Sequence, residues 1–176
     1  MLFALLAFTM LACGGKEKKL TYDDLKAAQA TLFNEDHSMN EEKAPKVAEK
    51  YCQFVEQNPN DSMAATWLFH AFEINVTLKN ADKSTELCNQ LVEKYPDSEW
   101  APRALLYAGT FVYDDMLNDT AQAHAMFQKL IDDYPDDPFV DDAKKSIEYL
   151  GLTPDQIMAR IMMSQIKEVD IDDVME

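Results

Sequence analysis

Apolar residues recur at helical spacing along the chain and form the same stripe three times. The stripes consist of Tyr51, Phe54 and Val55, then Cys88, Leu91 and Val92, and then Phe127, Leu130 and Ile131. Each stripe ends four residues before a proline, at Pro59, Pro96 and Pro135. Spacings of three and four residues place such side chains on one face of an α-helix. The pattern therefore predicts one amphipathic helix, packed in the same way, in three successive copies.

Capping residues and helix breakers divide the chain into eight predicted helices. Their predicted bounds are about Thr21 to Phe33, Glu41 to Gln57, Asp61 to Leu78, Asn80 to Tyr95, Ser98 to Tyr113, Thr120 to Asp133, Asp137 to Leu150 and Pro154 to Gln165. Gly151 suits the left-handed position after a helix end, and Thr153 before Pro154 suits a helix start. Only four glycines occur, whereas a β-rich domain of this length needs many more for its turns. The pattern predicts an all-α ladder of antiparallel helices.

The turn after each stripe recurs as well. Tyr-Pro-Asp begins at Tyr95 and again at Tyr134, and a weaker copy, Asn-Pro-Asn, begins at Asn58. The three prolines are 37 and 39 residues apart. Self-similarity at a fixed period of this size indicates helical units that stack into a solenoid. Proline cannot continue a helix, so it ends the second helix of each unit.

Two groups of residues resemble a known repeat. Ala123, Phe127 and Pro135 have the spacing of the small residue, the aromatic and the terminating proline in the second helix of a tetratricopeptide repeat, and Leu105, Ala108 and Gly109 match its first helix. Residues 42–151 resemble this family, although their period exceeds the usual ~34 residues, with the predicted loop 115–119 absorbing part of the excess. The resemblance implies a right-handed solenoid of antiparallel helix pairs, with about 3.5 repeats and a C-terminal cap helix.

The Tyr-Pro-Asp turns and the long period resemble those of bacterial envelope lipoproteins in this family. Examples are the helical lipoprotein of the outer-membrane β-barrel assembly machine and the periplasmic coordinator linked to the Tol-Pal system. In such repeats the first helix of each pair lines a concave face that binds partners. Carried over by repeat register, the predicted partner-binding residues are Thr66, Phe69, Glu73, Arg103, Leu106, Thr110, Tyr113, Lys145 and Tyr149. The alternative for each of them is packing between repeats.

The first twelve residues are predominantly apolar and are followed by Cys13. Spanning a bilayer takes roughly 20 such residues, so this segment is too short for a transmembrane helix and predicts a secretory signal peptide. The sequence Leu-Ala-Cys ending at Cys13 resembles the lipobox of bacterial lipoproteins. This resemblance implies cleavage before Cys13 and lipidation of that cysteine. The alternatives are an ordinary signal peptide and a buried apolar helix.

These features predict the organisation of the chain. The predicted parts are a signal peptide at 1–12, the lipidated cysteine with a polar tether at 13–20, a tetratricopeptide-like helical domain at 21–165 and an acidic tail at 166–176. Such a protein is expected to be exported and anchored to the bacterial outer membrane, facing the periplasm. The lipid is then its only contact with the membrane.

The charge of the chain narrows the choice of partners. The 176 residues include 32 acidic and 16 basic side chains, for a formal net charge of −16. Such a charge repels phosphate backbones and anionic lipid surfaces, and the basic residues form no stripe that a polyanion could follow. No nucleic-acid partner is therefore predicted.

Two cysteines lie in the predicted helical domain, Cys52 and Cys88. They occupy similar but not identical positions of their repeats. Neighbouring helix axes are about 8–10 Å apart, whereas a disulfide needs Cα atoms within about 7 Å. Two buried thiols are therefore favoured over a bridge.

The sequence contains no pattern of an enzyme or cofactor site. It lacks a glycine-rich phosphate loop, a His-Glu-x-x-His pair and a Cys-x-x-Cys pair. His37, His70 and His124 lie in different segments, and His70 is expected to be a partly buried packing residue. The acidic run 132–142 offers oxygen ligands for calcium but lacks the central glycine of an EF-hand loop, so helix capping and solvation are favoured. No catalytic residue, metal or cofactor is predicted.

The last predicted helix carries an apolar stripe. Its members are Ile157, Met158, Ile161, Met162, Met163 and Ile166. Methionine-rich surfaces can bind varied partners, but a terminal helix that covers the open end of a solenoid needs the same stripe. The capping role is favoured.

Together these patterns predict a non-catalytic scaffold, anchored by lipid in the cell envelope. It is expected to bind envelope proteins or peptides on its concave face, in outer-membrane or envelope biogenesis. One alternative is an envelope lipoprotein that binds glycans or other ligands. It needs exposed tryptophans, and the sequence offers only Trp67, which is expected in the core, and Trp100. A further alternative is a thiol-based redox protein that uses Cys52 or Cys88.

Overall fold

The computed structural model describes residues 19–172, with side chains as far as residue 164, and confirms the all-α repeat architecture. Its helices are α1 (Tyr22–Gln29), α2 (Ala44–Gln57), α3 (Ala64–Thr77), α4 (Ala81–Lys94), α5 (Trp100–Tyr107), a π-helical segment (Ala108–Met116), α6 (Thr120–Asp133), α7 (Val140–Tyr149) and α8 (Pro154–Asp172). Successive helices from α1 to α7 pack against one another, and first helices also touch across repeats, α3 on α5. The order gives the predicted three and a half helix pairs before α8.

The three second helices, α2, α4 and α6, end in the same way. The residue before each proline leaves the helical conformation with nearly identical angles: Asn58 (φ −139°, ψ 59°), Tyr95 (φ −133°, ψ 50°) and Tyr134 (φ −131°, ψ 54°). Each of their carbonyls then accepts a hydrogen bond of 3.0 Å from the amide three residues on. A residue before proline is disfavoured in the α conformation. The recurring motif is therefore a helix terminator that also starts the turn to the next repeat.

Tyrosine hydroxyls link the turns of neighbouring repeats. The Tyr95 hydroxyl donates a hydrogen bond of 3.0 Å to the carbonyl of Pro59 in the preceding turn. In the same way the hydroxyl of Tyr22, at the start of α1, donates to the carboxylate of Asp61. Tyr95 of the motif thus has a second role, because its hydroxyl ties its own turn to the preceding one.

Small residues allow the paired helices to approach closely, as the sequence predicts. Ala104, Ala108 and Ala123 are completely buried. At Gly109, an added Cβ would lie 2.5 Å from a ring carbon of Phe127, which is closer than carbon atoms can pack. The π-helical segment and α6 can therefore pack at this distance only with glycine at position 109.

The first helix of the third pair differs from the prediction. A single α-helix was expected from Ser98 to about Tyr113, with the extra residues of the repeat in a loop at 115–119. The helix instead changes to π-helical hydrogen bonding at Ala108, and the Leu117 amide donates to the Val112 carbonyl, five residues back, at 3.0 Å. A π turn spends more residues than an α turn. The excess length is therefore absorbed within the helix, and only 117–119 remain as a loop.

The turns inside two of the helix pairs have the same arrangement, a left-handed residue followed by an N-cap. Lys79 (φ 56°) and Asn118 (φ 50°) are both left-handed. Each is followed by an N-cap, Asn80 or Asp119, whose side chain accepts a hydrogen bond from an amide in the first turn of α4 or α6. Asparagine tolerates the left-handed conformation better than lysine does. The two turns therefore differ in backbone strain.

The C-terminal region confirms the predicted helix start but not the capping role. Gly151 is left-handed (φ 74°), and the Gln156 amide donates to the Thr153 hydroxyl oxygen at 3.3 Å. The helix runs on to Asp172 instead of ending near Gln165. Four residues of its predicted capping stripe are exposed, by 37% to 66%: Met158, Ile161, Met162 and Met163. The capping prediction is wrong for these four, because Ile157 alone is turned toward the repeats among the stripe residues up to 164. The side chain of Ile166 lies outside the described part of the chain.

The remaining differences lie at the ends of the chain. The first helix ends at Gln29 instead of Phe33, and a loop closed by a bridge between Phe33 and Met39 follows. The predicted signal peptide, the predicted lipidation site Cys13 and most of the predicted tether lie outside the described residues. Within residues 19–172 none of the helices is both long enough and apolar enough to cross a membrane.

Candidate partner-binding surface

Two grooves open between the C-terminal parts of the first helices. The first groove, about 830 Å³, lies between α3 and the π-helical segment and includes Glu73, Val76 and Lys79 on one side. The second groove, about 670 Å³, lies between that segment and α7 and is bordered by the 150–153 connection to α8. Both lie on the helices that the repeat register assigns to partner contact.

A pair of aromatic side chains separates the two grooves and lines both. Tyr107 and Phe111 meet edge to face, with ring centroids 5.4 Å apart, and are called the aromatic ridge below. Phe111 is 39% exposed, which is unusual for a phenylalanine within a packed repeat. The sequence reasoning predicted neither residue as a partner contact. It missed Phe111 because it assumed a regular α-helical register up to Tyr113, whereas Tyr107 precedes the π-helical segment. The only signal in the sequence was a repeat period longer than usual.

Five of the nine predicted contact residues line the grooves. Glu73 lines the first groove, and the second is lined by Leu106, Thr110, Lys145 and Tyr149. Tyr113 is half-buried against the core, and it lines neither of these grooves.

The other three predicted residues, Thr66, Phe69 and Arg103, belong to a packed cluster near the N-terminal ends of the same helices. Phe69 is only 1% exposed and stacks on Trp100, with ring centroids 4.6 Å apart. The indole nitrogen of Trp100 donates a hydrogen bond of 3.0 Å to the Thr66 hydroxyl oxygen. Phe69 is therefore corrected from a partner contact to a contact between repeats, because the tryptophan of the next repeat covers its ring.

Arg103 extends this cluster to the next repeat. Its guanidinium carbon lies 5.0 Å from the Trp100 ring centroid and 5.2 Å from that of Phe139, which indicates cation–π contacts on both sides. The Arg103 Nε atom is buried and has no hydrogen-bond partner in the described part of the chain. We call Thr66, Phe69, Trp100, Arg103 and Phe139 the aromatic ladder. It joins three successive first helices.

The grooves are more acidic than basic. Four carboxylates line them, from Glu73, Asp114, Asp115 and Asp142, against the ammonium groups of Lys79 and Lys145. Burial, and after it the neighbouring Asp115, raise the pKa of Asp114. The Glu73 carboxylate lies 3.1 Å from Nδ1 of His70, a half-buried side chain that packs among aromatic rings as predicted. The surface thus combines an apolar ridge with negatively charged flanks.

The two cysteines are free thiols, as predicted, and no disulfide joins them. Cys88 is buried and Cys52 is half-buried. Burial raises the pKa of Cys52 to about 11 and that of Cys88 to about 12. Reactive cysteines require a lowered pKa. The raised pKa of both thiols therefore disfavours redox or nucleophilic chemistry at these cysteines.

The acidic run 132–142 is used for local helix contacts. Lys129 pairs with Asp133 at 2.6 Å, and the Asp137 carboxylate accepts a hydrogen bond of 2.9 Å from the Phe139 amide ahead of α7. Among the described residues, no group of three or more histidine, cysteine or acidic side chains is placed to hold a metal ion.

Comparison with known proteins adds one finding to this geometry. Residues 103–137, which cover most of α5, the π-helical segment and α6, match the tetratricopeptide repeat family. No curated protein and no solved structure matches the chain. The chain therefore contains a tetratricopeptide repeat within an all-α fold of that type. Such repeats generally mediate protein–protein interaction and typically form non-enzymatic scaffolds.

Proposed function

We propose that this chain is a lipid-anchored scaffold of the bacterial cell envelope. It is exported, is held at the outer membrane by a lipid on Cys13 and faces the periplasm. There it binds envelope proteins or peptides along the two grooves and takes part in outer-membrane or envelope biogenesis. The Leu-Ala-Cys sequence supports the anchor, and the Tyr-Pro-Asp repeats support the envelope role.

The aromatic ridge is the observation that carries the binding part of this proposal. Exposed aromatic side chains in a pocket are the commonest anchors of protein interfaces. Grooves between helices accept extended or helical peptides, whose side chains fill the spaces on either side of such an anchor. Phe111 stands between two grooves and is partly exposed, so it is the central contact in this proposal.

Cross-linked pull-down from the native membranes tests the binding surface. The tagged wild type is compared with Phe111→Ser and with the matched control Phe33→Ser, which replaces a phenylalanine that is 57% exposed in a loop far along the chain. The same partners, identified by mass spectrometry, are expected to be recovered with the wild type and with the control. They are expected to be lost with Phe111→Ser. Equal recovery with Phe111→Ser, in a protein whose circular dichroism is unchanged, would contradict the proposal.

The anchor has its own test. Cys13→Ala is expected to abolish metabolic labelling by a fatty-acid analogue and to move the protein from the membrane to the soluble fraction. Labelling that persists without Cys13, or a membrane association that does not change, would rule out this anchor. Recovery of outer-membrane assembly or cell-wall division proteins would place the scaffold in envelope biogenesis.

The two alternatives have less support. A glycan platform needs exposed tryptophan, whereas Trp67 is buried and Trp100 is held between Phe69 and Arg103. A thiol enzyme needs a reactive thiolate, and burial works against one at both cysteines.

A further inference from the structure

The charge of the grooves indicates what kind of segment they accept. Carboxylates line each groove, Glu73 and Asp115 in the first and Asp114 and Asp142 in the second, whereas each groove has one lysine. The two grooves meet at the aromatic ridge, and Phe111 of the ridge lies on the same π-helical segment as Asp114 and Asp115, three and four residues before them. An apolar anchor and a double negative charge therefore lie side by side.

Asp114 and Asp115 have no compensating charge of their own. Among the side chains of residues 19–164, none forms a salt bridge with either carboxylate or donates a hydrogen bond to it. Asp114 is half-buried, and its neighbour's charge and its own burial both disfavour its ionised form. Elsewhere in the described part of the chain, Lys83 pairs with Glu86 and Lys129 with Asp133 across one helical turn. A cation brought by a partner would supply what the chain itself does not.

We propose that the occupant of the grooves is a cationic amphipathic segment of a partner protein. Its apolar side chains contact the aromatic ridge, and its lysine or arginine side chains pair with Asp114 and Asp115. This proposal rests on the binding function proposed above and names the chemistry of the partner. The net charge of −16 adds a long-range field that attracts such a segment and repels an acidic one.

Two fluorescent model peptides serve as probes. Both are amphipathic, about 14 residues long so that a helix can form on binding, and identical in their leucine and tryptophan positions. One has lysine and the other glutamate at every polar position. The full-length protein is expected to bind the lysine peptide at least about tenfold more tightly than the glutamate peptide at low ionic strength, with affinity falling as salt is added.

A matched pair of variants separates the groove from the overall charge. Asp114→Asn with Asp115→Asn removes two charges beside the ridge, and Glu41→Gln with Glu42→Gln removes two exposed charges before α2, outside both grooves. The first pair is expected to weaken binding of the lysine peptide about three- to tenfold, and the second pair to weaken it less than about twofold. Equal weakening by both would overturn the proposal, since the attraction would then come from net charge alone.

Phe111→Ser distinguishes this proposal from the function on which it rests. If both peptides bind equally and Phe111→Ser abolishes the binding of both, the grooves bind partners but the proposed preference for a cationic segment is wrong. If the lysine peptide binds Phe111→Ser as well as wild type, the segment lies elsewhere and the proposal also fails. Self-association of the protein that Phe111→Ser abolishes would assign the grooves to a second copy of this chain and would overturn it too.

Discussion

The two ends of the same first helices use aromatic residues for different purposes. Toward the N-terminal ends, the aromatic ladder joins three repeats through a stack of Phe69 on Trp100 and the guanidinium of Arg103. Toward the C-terminal ends, Tyr107 and Phe111 contact each other, and grooves open on both sides of them. An aromatic residue at a contact position of the repeat is therefore accessible to a partner only where the next repeat leaves it uncovered.

The largest expected difference between the ladder and the ridge is in stability. Phe69→Ala removes a ring that is 1% exposed and leaves a cavity between repeats, so the free energy of unfolding is expected to fall by about 3–5 kcal/mol. Phe111→Ala removes a partly exposed ring and is expected to cost below about 1 kcal/mol. Urea unfolding followed by circular dichroism measures both. Similar losses for the two variants would remove the distinction between ladder and ridge.

This distinction shows which features the sequence could predict. The turns were predictable because proline acts on its own neighbours, and the Tyr-Pro-Asp copies share their backbone angles. The bounds of α6 agree with the prediction at both ends. The burial of Phe69 was not predictable from local pattern, because the ring that covers it, Trp100, comes from the following repeat.

The grooves were only partly predictable for a different reason. Repeat register predicts Glu73, Lys145 and Tyr149 as partner contacts, and all three line the grooves. Phe111 of the ridge lies in the π-helical segment, which shifts the face that each later residue presents and which no residue pattern in the sequence predicted. The prediction for the exposed stripe of α8 failed for a similar reason. Its residues have helical spacing, but the spacing does not show whether another element covers them.

The second largest effect is expected at Gly109, which holds the ridge-bearing segment against α6. Gly109→Ala forces a methyl group against the buried ring of Phe127, and it is expected to cost about 1–3 kcal/mol and to weaken partner binding by moving the ridge. A double-mutant cycle with Phe127→Leu provides the control, because the smaller side chain makes room for the methyl group. If the losses of unfolding free energy in the two single variants add up to the loss in the double variant, the overlap between the methyl group and the Phe127 ring is not the cause of the destabilisation.

A smaller effect is expected where the ladder crosses to Phe139. Arg103→Lys keeps the charge but replaces the flat guanidinium that lies against Trp100 and Phe139, so it is expected to cost about 0.5–1 kcal/mol. Arg160→Lys is the comparison, at an exposed position in α8 where the guanidinium donates a hydrogen bond to the Glu148 carbonyl. It is expected to cost less than Arg103→Lys, because a lysine ammonium can donate the same kind of bond. Thermal unfolding of both variants compares them. An Arg103→Lys protein as stable as wild type would mean that the ladder depends on its rings and not on this cation.

The smallest expected effect is at Lys79, where the first groove meets a strained turn. The equivalent turn has asparagine at 118 with nearly the same left-handed φ, 50° against 56°. Lys79→Asn places asparagine at the left-handed position of this turn as well, so it is expected to stabilise the protein by about 0.5 kcal/mol. Asn118→Lys is expected to cost a similar amount.

The binding measurement at Lys79 relates this strain to the groove. Lys79 provides the one basic side chain among the residues that line the first groove. If the partner segment is cationic and extends into this groove, Lys79→Asn removes a repulsion, and the lysine peptide is expected to bind up to about threefold more tightly. A variant that is more stable but binds the peptide unchanged would limit the cationic segment to the Asp114 end of the ridge. Weaker binding would mean that Lys79 itself contacts the partner, and that the strained lysine is retained for binding at some cost in stability.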